Sequence, residues 1–183
     1  MTSSREPMTV LFVCTANICR SAYAHRRAEY LLAGRAQVVS AGTHARDGMP
    51  MDPAMASELA TRGGDPEGFT SEPLTASIAR SADVILTAET SHRQWILEDW
   101  PQLLPRTFTL GQFSREVERV GEGVGRDLVH GVHSLRARAS RQDDISDPYR
   151  RGPAAAATCA QQIDDHLARV LPRLIGDGGA SWR

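Results

Sequence analysis

Two kinds of segment alternate along the chain. Short runs of Val, Leu, Ile and Phe bounded by polar turns lie at 8–13, 36–41, 83–88 and about 106–110, the pattern of buried strands. Between and after them, apolar residues recurring three and four apart predict helices at 21–33, 52–63, 90–99 and 154–175. Strand–helix alternation implies parallel strands joined by right-handed crossovers. The fold class is therefore α/β: a single-domain, doubly wound, four-stranded parallel sheet flanked by helices. In such sheets ligands bind beyond the carboxyl ends of the strands. A chain of 183 residues fills one core but not two, so residues 1–183 read as one domain, with a flexible stretch at 1–7.

The first run ends in Val13-Cys14-Thr15-Ala16-Asn17-Ile18-Cys19-Arg20-Ser21. Cys14 thus sits where a strand hands over to a helix. Free N–H groups and the positive end of the helix dipole make such a junction an anion site. The same field favours the thiolate of a cysteine placed there. Arg20 adds a planar, permanently charged fork suited to a tetrahedral oxyanion. Nucleophile, amide cradle and cation within eight residues describe phosphoryl transfer. Taken alone, Cys14 reads equally well as an inert small hydrophobe in a core.

A second segment, Asp143-Asp144-Ile145-Ser146-Asp147-Pro148-Tyr149, tips the balance. Pro148 drives Asp147 out of helical conformation, so its carboxyl projects from a restrained loop. An acid placed to protonate a leaving oxygen contributes roughly 10²–10⁴-fold in rate. An isolated Asp-Pro is ordinary turn chemistry; coupled to the Cys14 loop it reads as a general acid.

The Cys-x5-Arg-Ser spacing at this junction resembles the signature loop of the low-molecular-weight protein tyrosine phosphatases, usually Val-Cys-x-Gly-Asn-Ile-Cys-Arg-Ser-Pro. Asp147-Pro148-Tyr149 resembles that family's general-acid loop, Val39-Ser40-Ala41-Gly42-Thr43 its Ser-Ala-Gly-Thr strand end, and Ala82 to Thr87 its third strand. The resemblance covers most of residues 8–175. It implies a cysteine-dependent phosphatase that hydrolyses phosphotyrosine-type aryl phosphates through a phosphocysteine. Cys14, Arg20 and Asp147 would be catalytic, and Thr15, Ala16, Asn17, Ile18, Cys19 and Ser21 would form the phosphate loop. Ser40 would support that loop and Tyr149 would wall the pocket. The implied partners are a phosphotyrosyl protein or small aryl phosphate as substrate, with a tyrosine kinase as counterpart, acting on a monomer. No cofactor and no metal are expected, because Arg20 and the amide nest supply the electrostatics.

The chain departs from the pattern in several places. Ala22 replaces the proline, a mild change at a first helical turn. Ala16 replaces the glycine and must either fit an ordinary conformation or carry strain, so altered kinetics are expected there. Phe69-Thr70-Ser71-Glu72 stands where the family tends to have His-x-x-Arg, and the rim from Thr43 to Asp47 lacks a tryptophan. The connection at 120–142 is longer than usual. It carries Gly121, Gly123, Gly125, Arg126, His130, His133, Arg136, Arg138 and Arg141, with Leu128, Val132 and Leu135 spaced for a partial helix. It reads either as a phosphate-contacting lip over the site or as a solvated excursion without a role.

Two other functions share these features. An arsenate reductase of the same fold needs two further relay cysteines, and only Cys159 remains. A non-catalytic phosphotyrosine-binding module has no use for Asp147. Cys19 is open between a redox guard for Cys14 and a packing residue. A net charge of −1 and a pI near 6.6 give no case for nucleic acid. Every one of the 21 Lys-plus-Arg positions is arginine. No apolar run is long enough to span a bilayer, and Met1 to Pro7 contains no secretory h-region. Three cysteines do not make a disulfide scaffold, and a thiolate enzyme needs reducing surroundings, so a cytoplasmic location is expected. Among the six histidines, His130 and His133 are three apart with no third ligand near.

Overall fold

Four strands, β1 (Thr9–Cys14), β2 (Gln37–Gly42), β3 (Val84–Thr87) and β4 (Thr107–Thr109), pair in parallel in the order β2-β1-β3-β4. They come from a computed structural model that describes residues 7–135 and 137–176. Arg136 and all but the last residue of the 1–7 stretch lie outside the described residues. The chain runs one way from β1 to β2 and the other way to β3 and β4, so the strand order reverses at β1. Cys14 is the last residue of that strand, paired with Gly42 of β2. The reversal opens a crevice at the carboxyl ends of the strands.

Seven helices follow the strands: α1 (Arg20–Leu32), α2 (Pro53–Thr61), α3 (Ala76–Ser81), α4 (Thr90–Asp99), α5 (Leu110–Val117), α6 (Gly125–Ser134) and α7 (Pro153–Ile175). They cover both faces of the sheet, which is why β1 and β3 read as unbroken apolar runs. Val10, Phe12, Val84 and Leu86 pack against the α1, α5, α6 and α7 side. Leu11, Val13 and Ile85 pack on the other face against Ala79 of α3, Ile96 of α4 and Leu103. Asp164 of α7 draws three elements together. It accepts from Tyr23 at 3.0 Å and pairs with Arg27 at 3.2 Å and Arg62 at 3.1 Å. No helix among the described residues is long and apolar enough to cross a membrane.

The helix starts explain where the sequence pattern misleads. Thr109 ends β4 and its hydroxyl accepts from Gln112 N–H at 3.0 Å, capping a new helix. Leu110 therefore belongs to α5 and not to the strand expected at 106–110. Helix α3, too short for its period to register, starts at Thr75 in the same way. Asp52 and Pro53 start α2. Helix α1 differs: no side chain caps its N-terminus.

Part of the 120–142 connection packs on the core, while most of its other described residues face solvent. Leu128, Val129 and Val132 of α6 are buried against the α1–α7 side. Arg173 of α7 clasps the preceding turn, donating to the carbonyls of Val117, Val120 and Gly123 at 3.2, 2.9 and 2.7 Å. Gly111 of α5 shows how closely the returning chain packs. A Cβ there would fall on the carbonyl of Asp143 and 2.9 Å from its Cα. Gly111→Ala should therefore cost about 1–3 kcal/mol by overpacking, read as a lower urea midpoint with an unchanged slope.

Candidate active site

The loop from Cys14 to Arg20 curls because its carbonyls are taken from outside. Thr43 N–H donates to Cys14 O, His44 N–H to Thr15 O, Asp52 N–H to Ile18 O and Tyr23 N–H to Cys19 O, all at 2.8–2.9 Å. With the carbonyls turned outward, the loop amides and the uncapped start of α1 face the crevice, a concavity that suits an anion. Gly42 permits this approach, since a Cβ there would lie 2.5 Å from Thr15 O and 2.9 Å from Asn17 N. A cleft of about 480 Å³ opens above, walled by Cys14, Thr15, Ala16, Ile18, Cys19, Asp147 and Tyr149, with Arg20 at its floor.

Beneath the loop lies a continuous hydrogen-bond chain. Asn17, fully buried, accepts from Glu72 N–H at 2.9 Å through Oδ1. Its Nδ2 donates to Ser21 Oγ at 2.8 Å and to Ser40 Oγ at 2.9 Å. Both hydroxyls accept from the amide, so each has its own hydrogen to give elsewhere. Ser21 can direct its hydrogen to Cys14 Sγ at 3.0 Å, where it would stabilise a thiolate. Ser40 directs its hydrogen to His25 Nδ1 at 2.9 Å. His25, not singled out in the sequence, carries this chain on to Glu29, whose Oε1 lies 3.3 Å from its Nε2. The pKa of His25 is lowered by burial, against the opposing pull of Glu29.

A second set of contacts reaches the loop from α4. Arg20 Nη1 donates to Glu89 and, at 3.1 Å, to the carbonyl of Ile145, while Nη2 lies 3.6 Å from Asp147 Oδ2. Its Nε is buried with no acceptor. Burial works against the Arg20 charge, but Glu89, Cys14 and Asp147 more than offset it, so Arg20 remains a cation. Burial alone would raise Glu89, yet the hydrogen bond and charge of Arg20 hold it below the usual carboxylate range. His92 closes the helix start: its Nδ1 accepts from Glu89 N–H at 3.1 Å, so Nε2 carries the proton and donates to Thr15 Oγ1 at 2.8 Å. Burial, then Arg20, push His92 down to about 4.

Comparison with known proteins supplies the family. A profile of the family described as "Low molecular weight phosphotyrosine protein phosphatase" matches residues 9–124. The chain is 33% identical over 135 residues to the low molecular weight protein-tyrosine-phosphatase Etp of Escherichia coli K12, covering 73% of this chain and 90% of that protein. This chain belongs to the low-molecular-weight protein tyrosine phosphatase family. The probable low molecular weight protein-tyrosine-phosphatase EpsP of Ralstonia nicotianae is 29% identical over 166 residues, 91% of this chain and 95% of that one. Among solved structures, the YwlE arginine phosphatase of Geobacillus stearothermophilus superposes with a TM-score of 0.74 at 24% identity, over 93% and 95% of the two chains. That likeness is one of fold.

Several expectations change in this family member. Ala16 has no positive φ; the left-handed residue of the loop is Asn17, at φ 54°. Of the two alternatives for Ala16 the structure has the ordinary conformation, and the demanding position is filled by asparagine, which tolerates it. The segment Phe69 to Glu72 does support the loop, through the backbone amide of Glu72 and the packing of Phe69 edge-on against His25. None of the described residues of the 120–142 connection lines the Cys14 cleft, so they give the expected lip no support. Cys159 is fully buried. Burial pushes its thiol up to about 12, with Arg20 pulling the other way. Glu89 and His92 went unnoticed because a Glu-x-x-His helix start lacks the usual Ser/Thr signature.

Asn17→Ala should strand the Glu72 amide and two buried hydroxyls, costing on the order of 3 kcal/mol and most of the turnover. Ala16→Gly should leave the aryl phosphatase rate within about threefold. Urea unfolding and steady-state kinetics check both. A separate effect follows from His92, whose proton affinity is lower folded than unfolded. As pH falls from 6.5 toward about 4, the unfolded chain gains the proton first and the fold loses about 1.4 kcal/mol per pH unit. His92→Gln should flatten that decline in urea unfolding measured across the same range.

Proposed function

We propose that the chain hydrolyses phosphotyrosine-type aryl phosphate monoesters in two steps on Cys14. The observation that carries this reading is the Arg20 guanidinium. It is held in the cleft floor by Glu89 and the Ile145 carbonyl, while its Nε is left with no acceptor beside the nucleophile. A buried, oriented donor without a partner costs stability unless a ligand completes it. A phosphoryl oxygen supplies that acceptor.

In the first step Cys14 Sγ attacks phosphorus in line, and the P–O bond to the aryl group breaks. Arg20 and the loop amides hold the equatorial oxygens. Asp147, braced by Tyr149 N–H on its Oδ1 at 3.2 Å, gives its proton to the leaving phenolate. In the second step Asp147 takes a proton from water as the water oxygen attacks phosphorus. The P–S bond then breaks, and the Ser21 hydroxyl steadies the departing thiolate. Tyr149, exposed at the rim, offers a face for the substrate ring.

The substrate is a phosphotyrosyl protein or a small aryl phosphate, with a tyrosine kinase as the opposing enzyme. The cleft is built from one chain, which supports action as a monomer. A thiolate nucleophile needs reducing surroundings, which supports a cytoplasmic location. Cys19, held protonated by burial and by Asp52, remains the candidate guard: condensation of its thiol with a Cys14 sulfenic acid releases water and leaves a reducible disulfide.

Cys14→Ser and Arg20→Ala should abolish turnover. Asp147→Ala should lose about 10²–10⁴-fold on esters with poor leaving groups and least on nitrophenyl phosphate. Hydrolysis of a graded aryl phosphate series, beside phosphotyrosyl, phosphoseryl and phosphoarginyl peptides, checks these. An unchanged rate for Cys14→Ser would sink the assignment, and preference for phosphoarginine would replace the substrate class.

A further inference from the structure

A second cleft, of about 600 Å³, shares no lining residue with the first. One wall is α4; the other is Val132, His133 and Ala137 to Ala139 of the long connection that the phosphate site does not use. Its apolar part is formed by Phe108 with Leu104, which is 44% exposed. Arg93, Arg138 and His133 stand around it, and none of the lining residues is acidic.

Arg93 is the unusual member. Its Nε donates to the carbonyl of Thr107 at 2.9 Å, which fixes the guanidinium plane. No carboxylate among the described residues pairs with it, and burial alone lowers its proton affinity. Partly buried arginines ordinarily have an anionic partner, because an uncompensated charge in low dielectric is expensive. Gln112 of α5 shows a second unmet demand in the same cleft. It is 3% exposed, and its Nε2 bridges to Ala137 O at 2.6 Å. Its Oε1 is buried with no donor.

We propose that this cleft binds a small organic carboxylate: the carboxylate on Arg93 with Arg138 and His133 around it, an apolar body over Phe108 and Leu104, and an N–H donor for Gln112 Oε1. A planar carboxylate matches the single guanidinium fork, whereas a phosphate is better served by the amide nest at Cys14. The lining carries positive charge and no acid, and the neighbouring Asp144 carboxylate is engaged by the Thr90 N–H and hydroxyl at 2.7 and 2.8 Å. The long connection thus contributes a second ligand site to the fold.

Hippurate carries all three features, a carboxylate, an amide N–H and a phenyl ring. Hippuramide lacks the charge. Each is titrated into the full chain with the Cys14 cleft saturated by vanadate, and amide shifts are followed residue by residue by NMR. Hippurate should give saturable shifts at Thr90, Arg93, Gln112 and His133, and hippuramide should bind at least about tenfold more weakly. Arg93→Gln should weaken hippurate by a similar factor. Arg138→Ala, on an exposed segment, should weaken it about threefold without disturbing the fold. Equal affinity for hippurate and hippuramide, no shifts at these residues, or shifts only around Cys14 would overturn the proposal. So would undiminished hippurate binding in a folded Arg93→Gln protein. Failure of the phosphatase reading would show elsewhere, as absent aryl phosphate turnover.

Discussion

The buried side chain of Asn17 is the joint on which the phosphate loop turns. Its backbone takes the left-handed conformation that bends the loop, and its amide spends all its near bonds holding that bend. One bond ties it to the Glu72 backbone, two to hydroxyls whose freed hydrogens run on to Cys14 and His25. Loop curvature and the surroundings of Cys14 are therefore set by one residue. Gly42 makes the arrangement sterically possible by letting the strand end pass against Thr15 and Asn17.

Helix α4 holds the same loop from the opposite side. Glu89 and His92 cap each other's backbone, and each then reaches the loop, Glu89 to Arg20 and His92 to Thr15. A capping pair that also grips the site couples helix formation to the positions of the guanidinium and the loop threonine. The returning chain adds a third hold: Asp144 accepts from Thr90 at the start of α4, and Ile145 donates to Ala88 at the end of β3. Ile145 then accepts from Arg20, and Asp147 follows two residues later. Asp147 and Arg20 are thereby placed by one short segment, a preorganisation that accurate sites need.

How much of this the sequence discloses depends on how local each signal is. The sheet, and helices α1, α2, α4 and α7, show in the period of their apolar residues. Cys14, Arg20 and Asp147 show because their motifs are contiguous and Pro148 marks the acid loop. The structure brings these three to one cleft. Helix α5 carried a legible Leu110-Phe113-Val117 stripe, hidden by the strand before it. His25, Glu89, His92 and the Glu72 amide act across 15 to 77 positions of sequence, and no local pattern announces such contacts. Ala16 stood open in the sequence between an ordinary and a strained conformation, and only the structure shows that the neighbouring asparagine is the left-handed residue.

The central claim is covalent chemistry at Cys14, and trapping the intermediate tests it most directly. Enzyme turning over an aryl phosphate is denatured within milliseconds and its peptides are examined by mass spectrometry. The account predicts one phosphoryl group on the peptide that carries Cys14, appearing and decaying at rates that match turnover. Turnover without a phosphorylated Cys14, or with the phosphoryl group on another residue, would contradict it.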